Sequence, residues 1–352
     1  MKYSFYFLLL IAAGARADFV FVSDFEAINT LYVNSTPYTI EVRDGYVVDD
    51  VARQRAVPVL VRYPAELLAT PGPPLPLVVW SHGGGPNVDG RLGSPQWSQA
   101  LVRSGYIVIH MSHVPRTGAE TAALYAEFGL TLSQGLDCFT TLQVDRPRDA
   151  RAVLDALPLI EAAFPILAGR IDTTRIALAG HSFGAYTTRT MAGAVVDLCP
   201  PPAIAPAGFA HHRVSFRDAR PVAFMALSPQ GPGRFGFFEL PGGHSWQTLD
   251  RPDFSATGAG DATPGEQPAD RVRGFQIMAP HDKFLLYIDS PNAIHATFNL
   301  NDPAQPQMEA VIRASGIAFL DTNVRGNARA AAWLYSPIVG EISAGIASMS
   351  RR

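Results

Sequence analysis

The stretch Gly180-His181-Ser182-Phe183-Gly184 places a serine between two glycines in the G-x-S-x-G spacing. Such a serine can act as a nucleophile when it sits on a sharp strand-to-helix turn that projects its hydroxyl. The N-terminus of the following helix then favours developing negative charge. Glycine and serine are common, so the pentapeptide alone is weak, but its neighbours sharpen it. Residues 175–179 read as a buried strand leading in, and residues 182–195 read as a helix leading out. The competing reading is an ordinary helix-capping serine.

An ester carbonyl attacked by serine becomes an oxyanion and needs backbone donors close by, an approach that glycines permit. Ser81-His82-Gly83-Gly84-Gly85 follows the apolar run 77–80 and supplies such a loop. The expected donors are the N–H groups of Phe183 and Gly84, with Gly83 as the alternative to Gly84.

A base and an acid must follow in the order Ser, acid, His for a serine on this kind of turn. His281 and His295 come after Asp250, Asp253 and Asp261, and His295 also after Asp289. His281 precedes the apolar run 284–288 and His295 follows it. Sites in open α/β sheets form at the carboxyl ends of strands, which selects His295 and leaves His281 as a turn residue. His82 precedes the serine and is expected to be a structural hydrogen-bonding residue. His211-His212 has no partner at metal-ligand spacing. Asp261, just past the strand-like segment 254–258, is the expected acid, and Asp250, Asp253 and Asp289 are its rivals. Trp97, Phe183 and Trp246 could wall a substrate group or simply pack in the core.

These residues need a scaffold, and the chain patterning supplies one. Residues 38–63 read as paired strands with a turn at Asp44-Gly45. The runs 77–80, 106–109, 175–179, 222–227 and 284–288 are apolar at nearly every position, which suits strands covered on both faces. Helical stretches lie between them, at 147–157, 182–195, 306–320 and 328–334. The fold class is therefore α/β, a mostly parallel central sheet with helices on both faces. Two Gly/Pro-rich insertions, 200–220 and 231–253, are expected around the mouth of a pocket.

Of the 352 residues, 47% are hydrophobic and 17% charged, which supports a large core and argues against disorder. A formal charge of −3 and the lack of a basic cluster exclude a nucleic-acid partner. Residues 1–17 read as a signal peptide: Lys2, an apolar run over 5–13, and a small-x-small site at Ala15-Arg16-Ala17. A single catalytic domain over 18–352, secreted or periplasmic and with no later membrane span, follows as the expectation. In that compartment Cys138 and Cys199 are a disulfide candidate, the alternative being two buried thiols.

The chain resembles the bacterial α/β hydrolases related to platelet-activating-factor acetylhydrolase, often labelled predicted dienelactone hydrolases. The marks are Ser81-His82-Gly83, Arg146-Pro147-Arg148-Asp149, Gly180–Gly184, Leu227-Ser228-Pro229-Gln230-Gly231, Ser245-Trp246, Thr257-Gly258 before Asp261, Asp282-Lys283, and His295 followed by Phe298. The resemblance implies an α/β-hydrolase fold, a Ser182–His295–Asp261 triad, a small-molecule or lipid-like ester substrate, and no metal or cofactor. It also implies Asp261 as the acid and Gly84 as the oxyanion donor. Dienelactone hydrolases proper use cysteine as nucleophile; serine stands here, so their substrate is not carried over. A lipase, polyester hydrolase or peptidase on the same fold is the nearest alternative function, and a non-catalytic binding protein the more distant one. The sequence leaves the oligomeric state open.

Overall fold

A computed structural model describes residues 30–33, 37–84, 89–199 and 212–352. The expected signal peptide, Gly85 and His211 lie outside these residues. One nine-stranded sheet organises the chain. Its strands are β1 (Ile40–Asp50), β2 (Arg55–Pro64), β3 (Leu75–Ser81), β4 (Ile107–Met111), β5 (Ile171–His181), β6 (Pro221–Leu227), β7 (Asp253–Gly258), β8 (Lys283–Ile288) and β9 (Ala347–Arg351). Their spatial order is β1-β2-β4-β3-β5-β6-β7-β8-β9. Strands β3 to β8 are mutually parallel. β1 and β2 add antiparallel at one edge and β9 at the other.

The unbroken apolar runs follow from burial on both faces. Leu77 and Val79 point into one core with Ile107, Ile109, Ile176 and Leu178. Val78 and Trp80 point into a second core with Val108, Ala177 and Ala179. Five helices frame the site: α1 (Pro95–Arg103), α2 (Leu142–Asp155), α3 (Phe183–Ala192), α4 (Pro268–Ile277) and α5 (Pro306–Arg325). Side chains of α2 and α3 fill the first core, and those of α1 and α5 the second.

Two local expectations are corrected. Asp44-Gly45 is not a chain reversal but a bulge within β1, where the register with β2 shifts between Arg43 and Tyr46. Gly45, at φ 88°, accommodates the extra residue, and the reversal comes later, through the 3₁₀ turn Val51–Arg53. Helix α2 begins at Leu142, before the expected start at Pro147. Proline has no N–H to donate to the carbonyl four residues earlier. That carbonyl, on Gln143, instead accepts the Tyr186 hydroxyl of α3 at 2.9 Å, so the proline is absorbed by a cross-helix bond.

Cys138 and Cys199 form a disulfide, with Cα atoms 4.5 Å apart and 61 residues of separation. The bridge ties helix Leu132–Cys138 to the strand pair Val195–Asp197 and Arg213–Ser215. By loop entropy it contributes up to about 4 kcal/mol. Cys138→Ser/Cys199→Ser is expected to lower the thermal midpoint by roughly 6 °C, measured by calorimetry. An unchanged midpoint would mean that the bridge constrains little in the unfolded chain.

Candidate active site

Strand β5 ends at His181, α3 begins at Phe183, and Ser182 forms the corner between them. Ser182 adopts φ 56° and ψ −121°, outside the comfortable wells for a residue with a side chain. Its N–H is anchored to Leu227 O at 2.9 Å, at the end of the neighbouring β6. Its side chain makes no capping bond to α3, which argues against the helix-cap reading. The residue is partly exposed.

Two glycines permit this corner. A Cβ on Gly180 would stand 2.5 Å from the Gly184 carbonyl carbon and 2.6 Å from Ser81 O. A Cβ on Gly184 would collide with the Ser81 carbonyl. The helix start is thus pressed against the end of β3 with no room for a methyl group. Gly184→Ala is expected to destabilise the protein by about 2 kcal/mol or more, read from urea unfolding, because the obstacle is backbone and cannot rotate away. A variant of wild-type stability would show that α3 can move off β3 freely.

Asp261 and His295 meet through adjacent loops. Asp261 follows β7, His295 follows β8, and these loops are joined by a parallel bridge between Gly260 and Ile294. His295 Nδ1 lies 2.7 Å from Asp261 Oδ1, and the carboxyl is fully buried. The Thr257 hydroxyl donates to Asp261 Oδ2 at 2.8 Å. Arg271, from α4, stands 3.3 Å from Asp261 Oδ1 and donates to the Asp261 backbone carbonyl at 2.8 Å. The same guanidinium binds Ser228 O and pairs with Glu266, joining the loops after β6 and β7. The rival acids are placed elsewhere. Asp289 is exposed, Asp250 pairs with Arg217 at the surface, and Asp253 is buried against Arg189 at 3.1 Å. His281 is an exposed turn residue at φ 86°.

His295 is brought beside the serine corner by His181, a contact that sequence reasoning missed. The two rings are 4.5 Å apart, and His181 Nε2 bonds His295 O at 2.9 Å. Ser182 Oγ itself makes no hydrogen bond among the described residues.

The glycine loop after β3 runs along the same corner. A Cβ on Gly83 would be 3.6 Å from Ser182 Cβ, and one on Gly84 would be 3.8 Å from Phe183 Cβ. His82 bonds within the loop, Nδ1 to Gly83 O at 2.6 Å, while its Nε2 faces the His113 N–H at 3.4 Å. The Phe183 N–H, at the first position of α3, has no intrahelical partner. Trp97 and Trp246 are fully buried core residues. The Phe183 ring stacks on Phe235 at 4.4 Å, so the 231–253 insertion does reach the corner. Residues 200–211 of the other insertion lie outside the described residues.

A hydrogen-bonded Ser–His–Asp chain lies away from this corner, and it was not visible in the sequence. Ser81 Oγ is 2.9 Å from His113 Nε2, and His113 Nδ1 is 3.0 Å from Asp149 Oδ2. All three side chains are sealed from solvent. Arg55 at 2.7 Å and Arg53 at 3.0 Å already neutralise Asp149. This chain holds the end of β3 and has no access to a substrate.

Four histidines around these networks are held neutral. Burial pulls His82 down to about 2 and His181 down to about 3, with nearby positive charge adding to the effect. Burial also pushes His110 and His113 well below the usual histidine range. On unfolding each regains an ordinary value of about 6.5 and takes up a proton below it. Their contribution to stability is therefore complete above about pH 6.5 and is lost as pH falls toward the depressed folded values. Each costs about 1.4 kcal/mol per pH unit in that window. The unfolding free energy is expected to fall by at least about 2 kcal/mol between pH 7 and pH 5, and a flat urea-denaturation profile would contradict this.

Among the described residues, no group of His, Cys, Asp and Glu is arranged to hold a metal ion, and no helix is long and apolar enough to cross a membrane. Set against family models and against curated proteins, the chain matches none.

Proposed function

We propose that this chain is a serine hydrolase of the α/β-hydrolase fold that cleaves carboxylic esters, with Ser182 as nucleophile, His295 as base and Asp261 as acid. The observation that carries the reading is the 2.7 Å bond between His295 and the buried Asp261 carboxyl, set beside a strained, uncapped serine. The strands bearing the serine, histidine, aspartate and glycine loop all present their carboxyl ends to one edge of the sheet, where sites in this class of sheet form.

In this mechanism His295 takes the Ser182 proton as Oγ attacks the ester carbonyl. Asp261 keeps the imidazole in the right tautomer and stabilises its charged form. The N–H groups of Phe183 and Gly84 hold the oxyanion. The tetrahedral intermediate expels the alcohol, which leaves with the proton from His295. Water, deprotonated by His295, then cleaves the acyl-enzyme. The Ser182–His295 bond that this mechanism needs is of a kind that often closes only with substrate. No step calls for a cofactor. The resemblance to the acetylhydrolase-related hydrolases supports an ester as substrate, and the signal-like N-terminus and disulfide suit an exported protein.

A fluorophosphonate probe followed by peptide mapping tests the nucleophile, and p-nitrophenyl esters of graded chain length test the substrate class. Labelling at Ser182 with ester turnover is the expected result. Labelling without turnover would favour a peptidase or another hydrolase, and no labelling would favour a binding protein.

A further inference from the structure

We propose that Arg146 is a positioning residue that aims the oxyanion hole, an inference that rests on the ester-hydrolase reading above. Its guanidinium donates from one nitrogen to His82 O at 2.6 Å and from another to Gly83 O at 3.2 Å. It also lies 4.6 Å from the centre of the Phe183 ring. One side chain therefore grips both segments that supply the oxyanion donors. The peptide joining Gly83 to Gly84 is planar and trans, so its C=O and N–H point in opposite directions. Arg146 and His82 Nδ1 together hold the Gly83 carbonyl, which turns the Gly84 N–H away from the arginine. On this proposal that N–H is aimed at the serine corner, along which the loop runs.

The energetics suit a retained device rather than an incidental contact. Arg146 is 1% exposed, and no carboxylate among the described residues lies within ion-pair distance of it. Its Nε has no partner. A buried guanidinium without a counterion is costly. Burial pulls it to about 9, so it still carries its charge at neutral pH. The guanidinium is met by the two loop carbonyls, one of which, Gly83 O, it shares with His82 Nδ1.

The test compares wild type, Arg146→Lys and Arg146→Met. Lysine keeps the charge but cannot bridge two carbonyls from a planar fork. Methionine keeps length and loses the donors. Three quantities are read: ester kcat and KM, affinity for an alkyl trifluoromethyl ketone that forms an oxyanion on serine, and the thermal midpoint. Loss of one oxyanion donor costs about 10²–10³ in kcat. Arg146→Met is expected to lose about that factor in both kcat and ketone affinity, with KM changed by less than about threefold. Arg146→Lys, which retains one contact, is expected to lie between it and wild type and serves if the methionine variant does not fold. Activity that falls only in step with the folded fraction, with the ratio of ketone affinity to KM unchanged, overturns the proposal. Fluorophosphonate labelling of wild-type Ser182 is the control. Its absence would bring down the hydrolase reading itself, whereas labelled wild type with unaffected Arg146 variants removes only this inference.

Discussion

Ser182→Ala is expected to fold with near-native stability and to lose ester hydrolysis by several orders of magnitude in kcat. Removing a triad nucleophile leaves only the rate supplied by binding and the oxyanion donors, so losses of 10⁴-fold or more are usual. Stability should be nearly unchanged, because the hydroxyl makes no hydrogen bond among the described residues and caps no helix. The strained backbone at φ 56° is unfavourable for alanine as well, so no large gain is expected either. The measurement is kcat on a p-nitrophenyl ester beside a thermal melt. A variant retaining more than about a tenth of wild-type kcat would require another nucleophile. Ser81, whose hydroxyl is hydrogen-bonded to His113, would be the first to examine, though it is sealed from solvent.

Asp261→Asn is expected to lower kcat by about 10³-fold or more, while Asp289→Asn behaves as wild type. The surroundings of Asp261 leave an asparagine no good orientation. With its amide nitrogen toward His295, the imidazole is held in the tautomer that cannot accept the serine proton. With its oxygen toward His295, the tautomer survives but the negative charge that supports the imidazolium is gone. The Arg271 guanidinium 3.3 Å away then works against that imidazolium. Steady-state kcat of both variants on a p-nitrophenyl ester, set beside a thermal melt, checks this. Should Asp289→Asn be the crippled one, the acid must be reassigned, although Ser182 and His295 could stand.

Local patterning made much of the scaffold legible. A strand buried on both faces must be apolar at every position, so the runs before Ser81 and Ser182 announced parallel strands before any contact was known. The Gly180–Gly184 spacing announced a tight corner, because only glycine leaves room for backbone against backbone. Strand-end position selected His295 over His281 and favoured Asp261, with Asp289 at the end of the next strand as its rival. The same local logic misread Asp44-Gly45. A glycine at positive φ serves a bulge as well as a turn, and only the partner strand distinguishes them.

What the tertiary structure alone decided concerns groups far apart in the chain. Asp261 rather than Asp289 faces His295 because the loops after β7 and β8 are bridged at Gly260 and Ile294. The Ser81–His113–Asp149 chain is sealed and its aspartate neutralised, which follows from burial and from Arg53 and Arg55. Arg146 and Arg271 carry no local signal of their roles. Each binds backbone carbonyls, and a carbonyl is present at every residue, so nothing in the side-chain sequence marks which one will be gripped. Sequence by itself thus determined which segments are buried, because that depends on neighbours in the chain. The pairing of charges and the aim of backbone donors depend on folding, which brings distant groups within hydrogen-bond range.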